Sequence, residues 1–137
     1  MHCDGKQGRS SCPVTFALDR LGDKWSLLIV RDLMFRGRNT YGDFLNSGEG
    51  IATNVLADRL KCLEAEGIIE KSRDPDNRRR ILYKLTSKGY DLTPVLLEMM
   101  RWSVKHDAET GAPKAFIKRL KNDMEGLIKD VRKGFRL

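Results

Sequence analysis

The most constraining feature of this chain is an amphipathic helix that passes through one glycine into a basic two-strand hairpin. Across residues 52–66, Val55, Leu56, Leu60 and Leu63 share one side of a 3.6-residue wheel, and Thr53, Asn54, Ala57, Asp58 and Lys61 occupy the other. Gly67 suits the position just past a helix C-terminus. Residues 68–72 and 79–85 then read as two strands, joined by the turn-forming Asp74-Pro75-Asp76-Asn77.

The flanking segments are helical. Val14, Ala17, Leu18 and Leu21 recur at helical spacing, with Pro13 suited to a first turn. Gly22-Asp23 breaks that helix, and Asp23 can cap the next, whose apolar positions are Trp25, Leu28, Ile29, Leu33 and Met34. After a turn at residues 36–39, Tyr41, Phe44 and Leu45 fit a short third helix closed by Asn46-Ser47-Gly48. Beyond the hairpin, Thr86 caps a long helix that must kink or restart at Pro94 before reaching His106. Gly111-Ala112-Pro113 is a break. The tail after it repeats Phe116, Leu120, Met124, Leu127 and Val131 along one seam, backed by basic residues. Because the body closes without this tail, the seam is expected to pair with a second copy of the chain. The organisation expected is a flexible arm (residues 1–11), a body (12–110) and a dimerisation helix (111–137), with no internal repeat.

Charge and composition narrow the function. A chain of 137 residues, 40% hydrophobic, has room for one domain. Its longest apolar run, Leu27-Leu28-Ile29-Val30, is far too short for a bilayer, and residues 1–12 lack the apolar stretch of a secretion signal. An odd count of 3 Cys without such a signal points to reduced thiols in a cytoplasm. Only 2 His residues, His2 and His106, leave little for a metal, a cofactor or general base chemistry, so an enzyme is not expected. The net charge of +7 suits a polyanion-binding domain. It is unevenly placed: residues 67–88 hold seven basic against three acidic groups, residues 114–137 eight against three, and residues 39–66 two against five.

Two helices, a short helix, a long helix, a basic hairpin and a closing helix make a mainly α fold with a small β-hairpin, the order of a winged helix-turn-helix. In such a fold a short helix and tight turn aim the next helix into the major groove, while the hairpin meets phosphates or a minor groove. The side chains expected at DNA are Thr53 and Asn54 at the exposed helix start, Lys61 further along, and Arg73, Arg78, Arg79 and Arg80 of the hairpin. An Asn reads adenine bidentately, a Thr offers a hydroxyl or a methyl, and a Lys sits on phosphate. Strand alternation sends Ile81 and Tyr83 to one face and Arg80, Leu82 and Lys84 to the other, so not every arginine faces DNA. Arg59 falls nearer the apolar side, where an ion pair competes with a phosphate contact.

The same residues resemble a known family. Cys12-Pro13-Val14, the run from Ala17 to Leu33 with its Asp23-Lys24-Trp25, the run from Gly50 to Glu64, Tyr83-Lys84-Leu85-Thr86, Leu92-Thr93-Pro94 and Trp102 are similar, in this order, to the HxlR family of bacterial transcriptional regulators. The resemblance covers about residues 12–102 and implies a homodimeric winged-helix protein on a palindromic or near-palindromic operator, with N- and C-terminal dimerisation helices. Departures from the pattern are Thr40-Tyr41 where the family carries Arg-Phe, with Arg36 or Arg38 as substitutes, Ala52 where it has a capping Ser, and a wing closer to that of the MarR family. The resemblance also places Cys12 where several such regulators keep a thiol sensor, and its seat before a helix start near Arg9 favours the thiolate. Cys3, nine residues away, is a candidate resolving thiol, and Cys62 is expected buried and inert. A metal site from His2, Cys3 and Cys12 fits no specific spacing. Trp25 is expected in the core, and Trp102 in the core or a dimer seam.

The expected function is that of a cytoplasmic, DNA-binding transcriptional regulator, a homodimer on double-stranded DNA, responsive through Cys12 to oxidants or electrophiles, with no membrane partner. The alternatives are a MarR-like regulator responding to a small molecule of unspecified identity, and a winged-helix module whose basic wing faces an acidic protein.

Overall fold

Helix α2 (Ser26–Phe35) forms the centre of the computed structural model, which describes residues 10–137. Ile29, Val30, Leu33, Met34 and Phe35 are all buried, so this helix is packed on nearly every side. Asp23 starts it: its Oδ2 accepts the amides of Trp25 (3.0 Å) and Ser26 (2.9 Å), and its Oδ1 accepts the Ser26 hydroxyl (2.6 Å). The preceding α1 (Pro13–Leu21) buries none of its residues, and Val14, Phe16 and Leu18 are each more than half exposed. It is held instead by Arg20, which pairs with Glu66 at 2.8 Å and lies over the Phe16 ring.

The short α3 (Tyr41–Leu45) opens on a complete capping box, in which Asp43 accepts the Thr40 amide while Thr40 accepts the Asp43 amide. It leads through the turn at residues 46–52 into α4 (Thr53–Ala65), which buries Leu56, Leu60 and Leu63 against the core. Gly67, at φ +74°, ends α4 in the left-handed conformation that a side chain would oppose. Strands β1 (Ile69–Arg73) and β2 (Ile81–Leu85) form a two-stranded antiparallel sheet in the register Ile69 with Leu85 and Lys71 with Tyr83. Tyr83 packs on Phe44 of α3, with ring centroids 5.9 Å apart, and its amide donates to the Asn39 carbonyl. The hairpin is thus fixed to the front of the domain.

Thr86 caps the one-turn α5 (Ser87–Tyr90), whose Gly89 sits so close to the Ile68 carbonyl that a Cβ would clash with it. Pro94 forces a restart, as α6 (Thr93–His106), with the proline in its first turn. The tail corrects the sequence expectation. It is two helices, α7 (Lys114–Asn122) and α8 (Met124–Arg132), separated at Asp123, which caps α8 by accepting the Gly126 amide. Both pack on α6 of their own chain, and Phe116, Leu120, Leu127 and Val131 belong to the same buried core as α2 and α4. The seam is therefore filled within the protomer and is not open to a second copy. The apolar surface left uncovered is elsewhere: Val95, Met99 and Trp102 on α6, with Trp102 68% exposed, and the outward face of α1. Trp102 is therefore no core residue, and Trp25 is half-buried under the Lys24 ammonium. No helix among the described residues is long and apolar enough to cross a membrane.

Candidate nucleic-acid interface

The α4 helix presents Thr53, Asn54, Ala57 and Lys61 to solvent, in agreement with the helical wheel. Its N-cap is Ala52, which offers no side-chain cap, so the Thr53 hydroxyl at the next position is not spent as one. The start of α4 is held from α3, because the Tyr41 hydroxyl donates to the Thr53 carbonyl at 2.9 Å. Tyr41 thus supplies a fixing bond at the position where the sequence departs from the Arg-Phe pattern. Of the two substitutes, Arg38 spends its guanidinium on the carbonyls of Asp43 (3.3 Å) and Asn46 (3.4 Å). Arg36 lines a groove with residues of α6 and lies 3.9 Å from the Asp32 carboxylate.

The four hairpin arginines divide into two pairs. Arg80 binds the buried Asp74 carboxylate through Nε (3.0 Å) and Nη2 (2.9 Å), and Arg73 donates from Nη1 to the Arg78 carbonyl (2.8 Å). Asp74 also accepts the Asp76 amide, which, with Arg80, holds its carboxyl below the usual carboxylate value. These two arginines build the turn. Arg78 and Arg79 are exposed at its tip, and no carboxylate among the described residues pairs with either.

A concave surface joins the hairpin to α4. Tyr41 and Tyr83 lie at its middle, with Ala57, Lys61, Glu64 and Lys71 to one side, Lys71 Nζ standing 3.7 Å from Glu64 Oε1, and Thr40, Arg79 and Arg80 to the other. Lys71 was not anticipated from the sequence. The signal lay in the strand register, since a residue opposite Tyr83 shares its face, but that register could be fixed only after the turn was placed. Arg59 is settled as an ion-pair residue. It is buried, with Nη1 3.3 Å from Asp23 Oδ1 and Nη2 2.8 Å from Asp58 Oδ2, and Nη2 also donates to Cys62 Sγ at 3.3 Å.

Cys12 is a free, exposed cysteine at the N-cap of α1. The backbone amides of Thr15 and Val14 and the Thr15 hydroxyl hold its thiol below the ordinary cysteine value. The expectations placed on His2, Cys3 and Arg9 lie outside the described residues. Cys62 is buried as expected, but it is disulfide-bonded, so the expectation of reduced thiols does not hold there. An odd number of cysteines leaves one unpaired and does not forbid a pair.

Comparison with known proteins decides what this arrangement belongs to. The HxlR-like helix-turn-helix family matches residues 20–110, the span from α1's end to the break after α6. The chain belongs to the HxlR-like helix-turn-helix family. Among its HxlR-type relatives is the uncharacterised HTH-type transcriptional regulator sll1512 of Synechocystis, 39% identical over 88 residues, a match covering 64% of each chain. The HTH-type transcriptional regulator YodB of Bacillus subtilis is 34% identical over 97 residues, 70% of this chain and 86% of that one. Its reduced form superimposes with a TM-score of 0.59 over 74% of this chain and 99% of that one, and it is also known in a quinone-bound form. The redox regulator HypR in its oxidized form is 30% identical, with a TM-score of 0.62 over 69% of this chain and 97% of that one. The family consists of transcriptional regulators, not enzymes, and the mainly helical winged-helix fold with its two-strand hairpin is the one these structures share. The tail helices α7 and α8 lie beyond the matched span.

Proposed function

We propose that this chain binds double-stranded DNA as a homodimer, α4 of each protomer entering a major groove at half-sites about one helical turn apart. The observation that carries the reading is the concave surface between α4 and the hairpin, where Lys61, Lys71 and Arg79 gather around Tyr41 and Tyr83 while Thr53 and Asn54 stand exposed at the helix start. Asn54 and Thr53 read base edges, Lys61 and Lys71 neutralise phosphates beside α4, and Arg78 and Arg79 do so at the wing. Arg73 and Arg80 hold the wing in shape. The exposed apolar faces of α6 and α1 supply the dimer contact, with Trp102 as its anchor. The protein works where DNA is, in the cytoplasm, and its operator is palindromic because its dimer is two-fold symmetric.

The decisive experiment is Asn54→Ala against a selected operator and a random duplex. A base reader loses about 1–3 kcal/mol on the operator and almost nothing on random DNA. Equal losses on both would reduce Asn54 to a backbone contact. No salt-dependent binding to any duplex would instead favour a protein-interaction module.

A thiol response is the second part of the reading, and the exposed, activated Cys12 supports it. Its thiolate adds to a quinone carbon, forming a C–S bond while the ring takes up a proton as the hydroquinone. The relatives YodB, known in a quinone-bound form, and HypR, a redox regulator known in an oxidized form, support this reading.

A further inference from the structure

A groove of about 610 Å³ runs between α2, α6 and the tail. Its walls are Leu28 of α2, Leu96 and Met100 of α6, and Phe116 of α7, with Ala112 and Pro113 of the connecting segment forming one edge. The volume is that of a site for a small organic molecule. The family match ends at residue 110, so one wall of this groove belongs to the tail that extends beyond it.

Its charged side chains have one sign. They are Arg31 and Arg36, no Asp or Glu side chain lines the groove, and Leu137, the last residue of the sequence, is among the lining residues. Arg31 is committed: Nε and Nη2 bind Asp32 Oδ1 at 3.2 and 3.0 Å, and Nη1 binds Glu49 Oε2 at 2.8 Å. Arg36 is not. The carboxylate paired with it is Asp32 at 3.9 Å, and that group is already engaged by Arg31. An apolar trough with a weakly paired guanidinium at its mouth is complementary to an amphipathic anion.

We propose that this groove binds an organic anion with an apolar body, its carboxylate or sulfonate on Arg36 and its hydrocarbon portion between α6 and Phe116. The site has a route to DNA, a consequence that rests on the function proposed above. Glu49, held by Arg31 from the groove's wall, stands in the turn immediately before α4. An anion on Arg36 shares the groove with Arg31, competes with Glu49 for the Arg31 guanidinium, and loosens the turn that sets the start of α4.

The test uses 2-naphthoate and its neutral counterpart 2-naphthamide, titrated calorimetrically into the full chain without DNA. One naphthoate binds per chain, and the amide binds about tenfold more weakly, the equivalent of one charge-assisted hydrogen bond. Arg36→Gln, a change at an exposed side chain, removes the difference between the two probes. Ala112→Phe, which fills the groove from its edge, abolishes binding of both, with unchanged melting showing that the variant folds. Equal affinity for both probes, or naphthoate binding unaffected by Arg36→Gln, overturns the proposal and assigns the probe to the exposed α6 face. Affinity that falls as protein concentration rises also overturns it, because a second copy then fills the groove. With the probe bound, affinity for a DNA duplex falls several-fold in the wild type. Unchanged DNA affinity refutes the route through Glu49 while leaving the site, and loss of all DNA binding without probe refutes the regulator reading alone.

Discussion

Removing the Asp23 carboxylate tests whether α4 is positioned from α2. Asp23 accepts three hydrogen bonds at the start of α2 and pairs with Arg59 in the middle of α4. Asp23→Ala removes the cap, which costs about 1 kcal/mol. It also takes one of two carboxylates from a guanidinium that is only 7% exposed. Stripping a buried cation of its whole partner costs about 3–5 kcal/mol; with Asp58 still at 2.8 Å and Asp23 itself partly solvated, about 1–2 kcal/mol remains. The expected total is about 2–3 kcal/mol, a fall in Tm of about 8 °C for a chain of this length. Asp23→Asn keeps a capping oxygen without the charge, so its loss relative to the wild type reads the ion pair, and the difference between the two variants reads the cap. A double-mutant cycle with Arg59→Met isolates the coupling, expected at about 1 kcal/mol or more. Burial opposes ionisation of Asp23, but the Ser26 hydroxyl, the amides of Trp25 and Ser26 and the Arg59 charge together hold its carboxyl below the ordinary value. The folded form is therefore favoured by ionised Asp23, and this stabilisation is complete above the unfolded carboxylate value and lost as pH falls through the lower folded one. Denaturant melts at neutral pH and below pH 4 measure both. A coupling energy near zero, or a wild-type advantage that grows as the pH falls, would refute the link between α2 and α4.

Arg78→Ala with Arg79→Ala should weaken binding to every duplex and flatten the salt dependence by about one unit per lost phosphate contact in each protomer, read from titrations at several salt concentrations. Trp102→Ala should shift sedimentation towards monomer with little change in Tm, whereas Leu120→Ala should cost about 2–5 kcal/mol of stability, measured in urea, and leave association intact once folded. Cys12 should react with iodoacetamide faster in the native protein than in a denatured one at pH 7, because its lowered pKa enlarges the thiolate fraction there, with mass spectrometry locating the adduct. Cys12→Ser should resist release from DNA by a quinone.

The parts of the fold that were legible in the sequence are those written in short-range pattern. The wheel of residues 52–66 becomes α4 (Thr53–Ala65), ended by Gly67, and the strand–turn–strand reading places the hairpin within two residues at each end. Pro94 announces its own restart, because a proline tolerated in a first turn is excluded further in. Periodicity does not say what covers an apolar face. The tail seam and the outward face of α6 are equally apolar on paper, yet Phe116 and Leu120 are buried at home and Trp102 is left outside. The break at Asp123 was hidden because Leu120, Met124 and Leu127 keep helical spacing across it, while Asp123 acts as a cap through an interaction with Gly126 that only geometry reveals. The interface residues split the same way. Exposure of Thr53, Asn54 and Lys61 follows from their wheel positions, whereas the division of four similar arginines into two that build the wing and two that project from it depends on Asp74, whose burial no spacing predicts.

The contacts around α4 explain how a DNA-reading helix can be both fixed and adjustable. Side chains hold it at four places: Arg31 of α2 through Glu49 before its start, Tyr41 of α3 at Thr53, the α1–α2 junction through Asp23 and Arg59 at its middle, and Arg20 of α1 together with Lys88 of α5 at Glu66, its C-cap. The central pair is buried, so it resists displacement and serves as a pivot. The end contacts are part-exposed, and pairs of that kind contribute only about 0–1 kcal/mol each. A perturbation at one end therefore needs to supply little free energy to tilt the helix about Arg59. Cys12 sits at the start of α1, whose Arg20 reaches the C-cap, and the groove of Arg31 and Arg36 adjoins the turn before the N-terminus. A thiol adduct and a bound anion would thus act on opposite ends of the same lever, so their effects on DNA affinity should add when both pivot carboxylates, Asp23 and Asp58, are intact, and lose that additivity when Asp23 is removed.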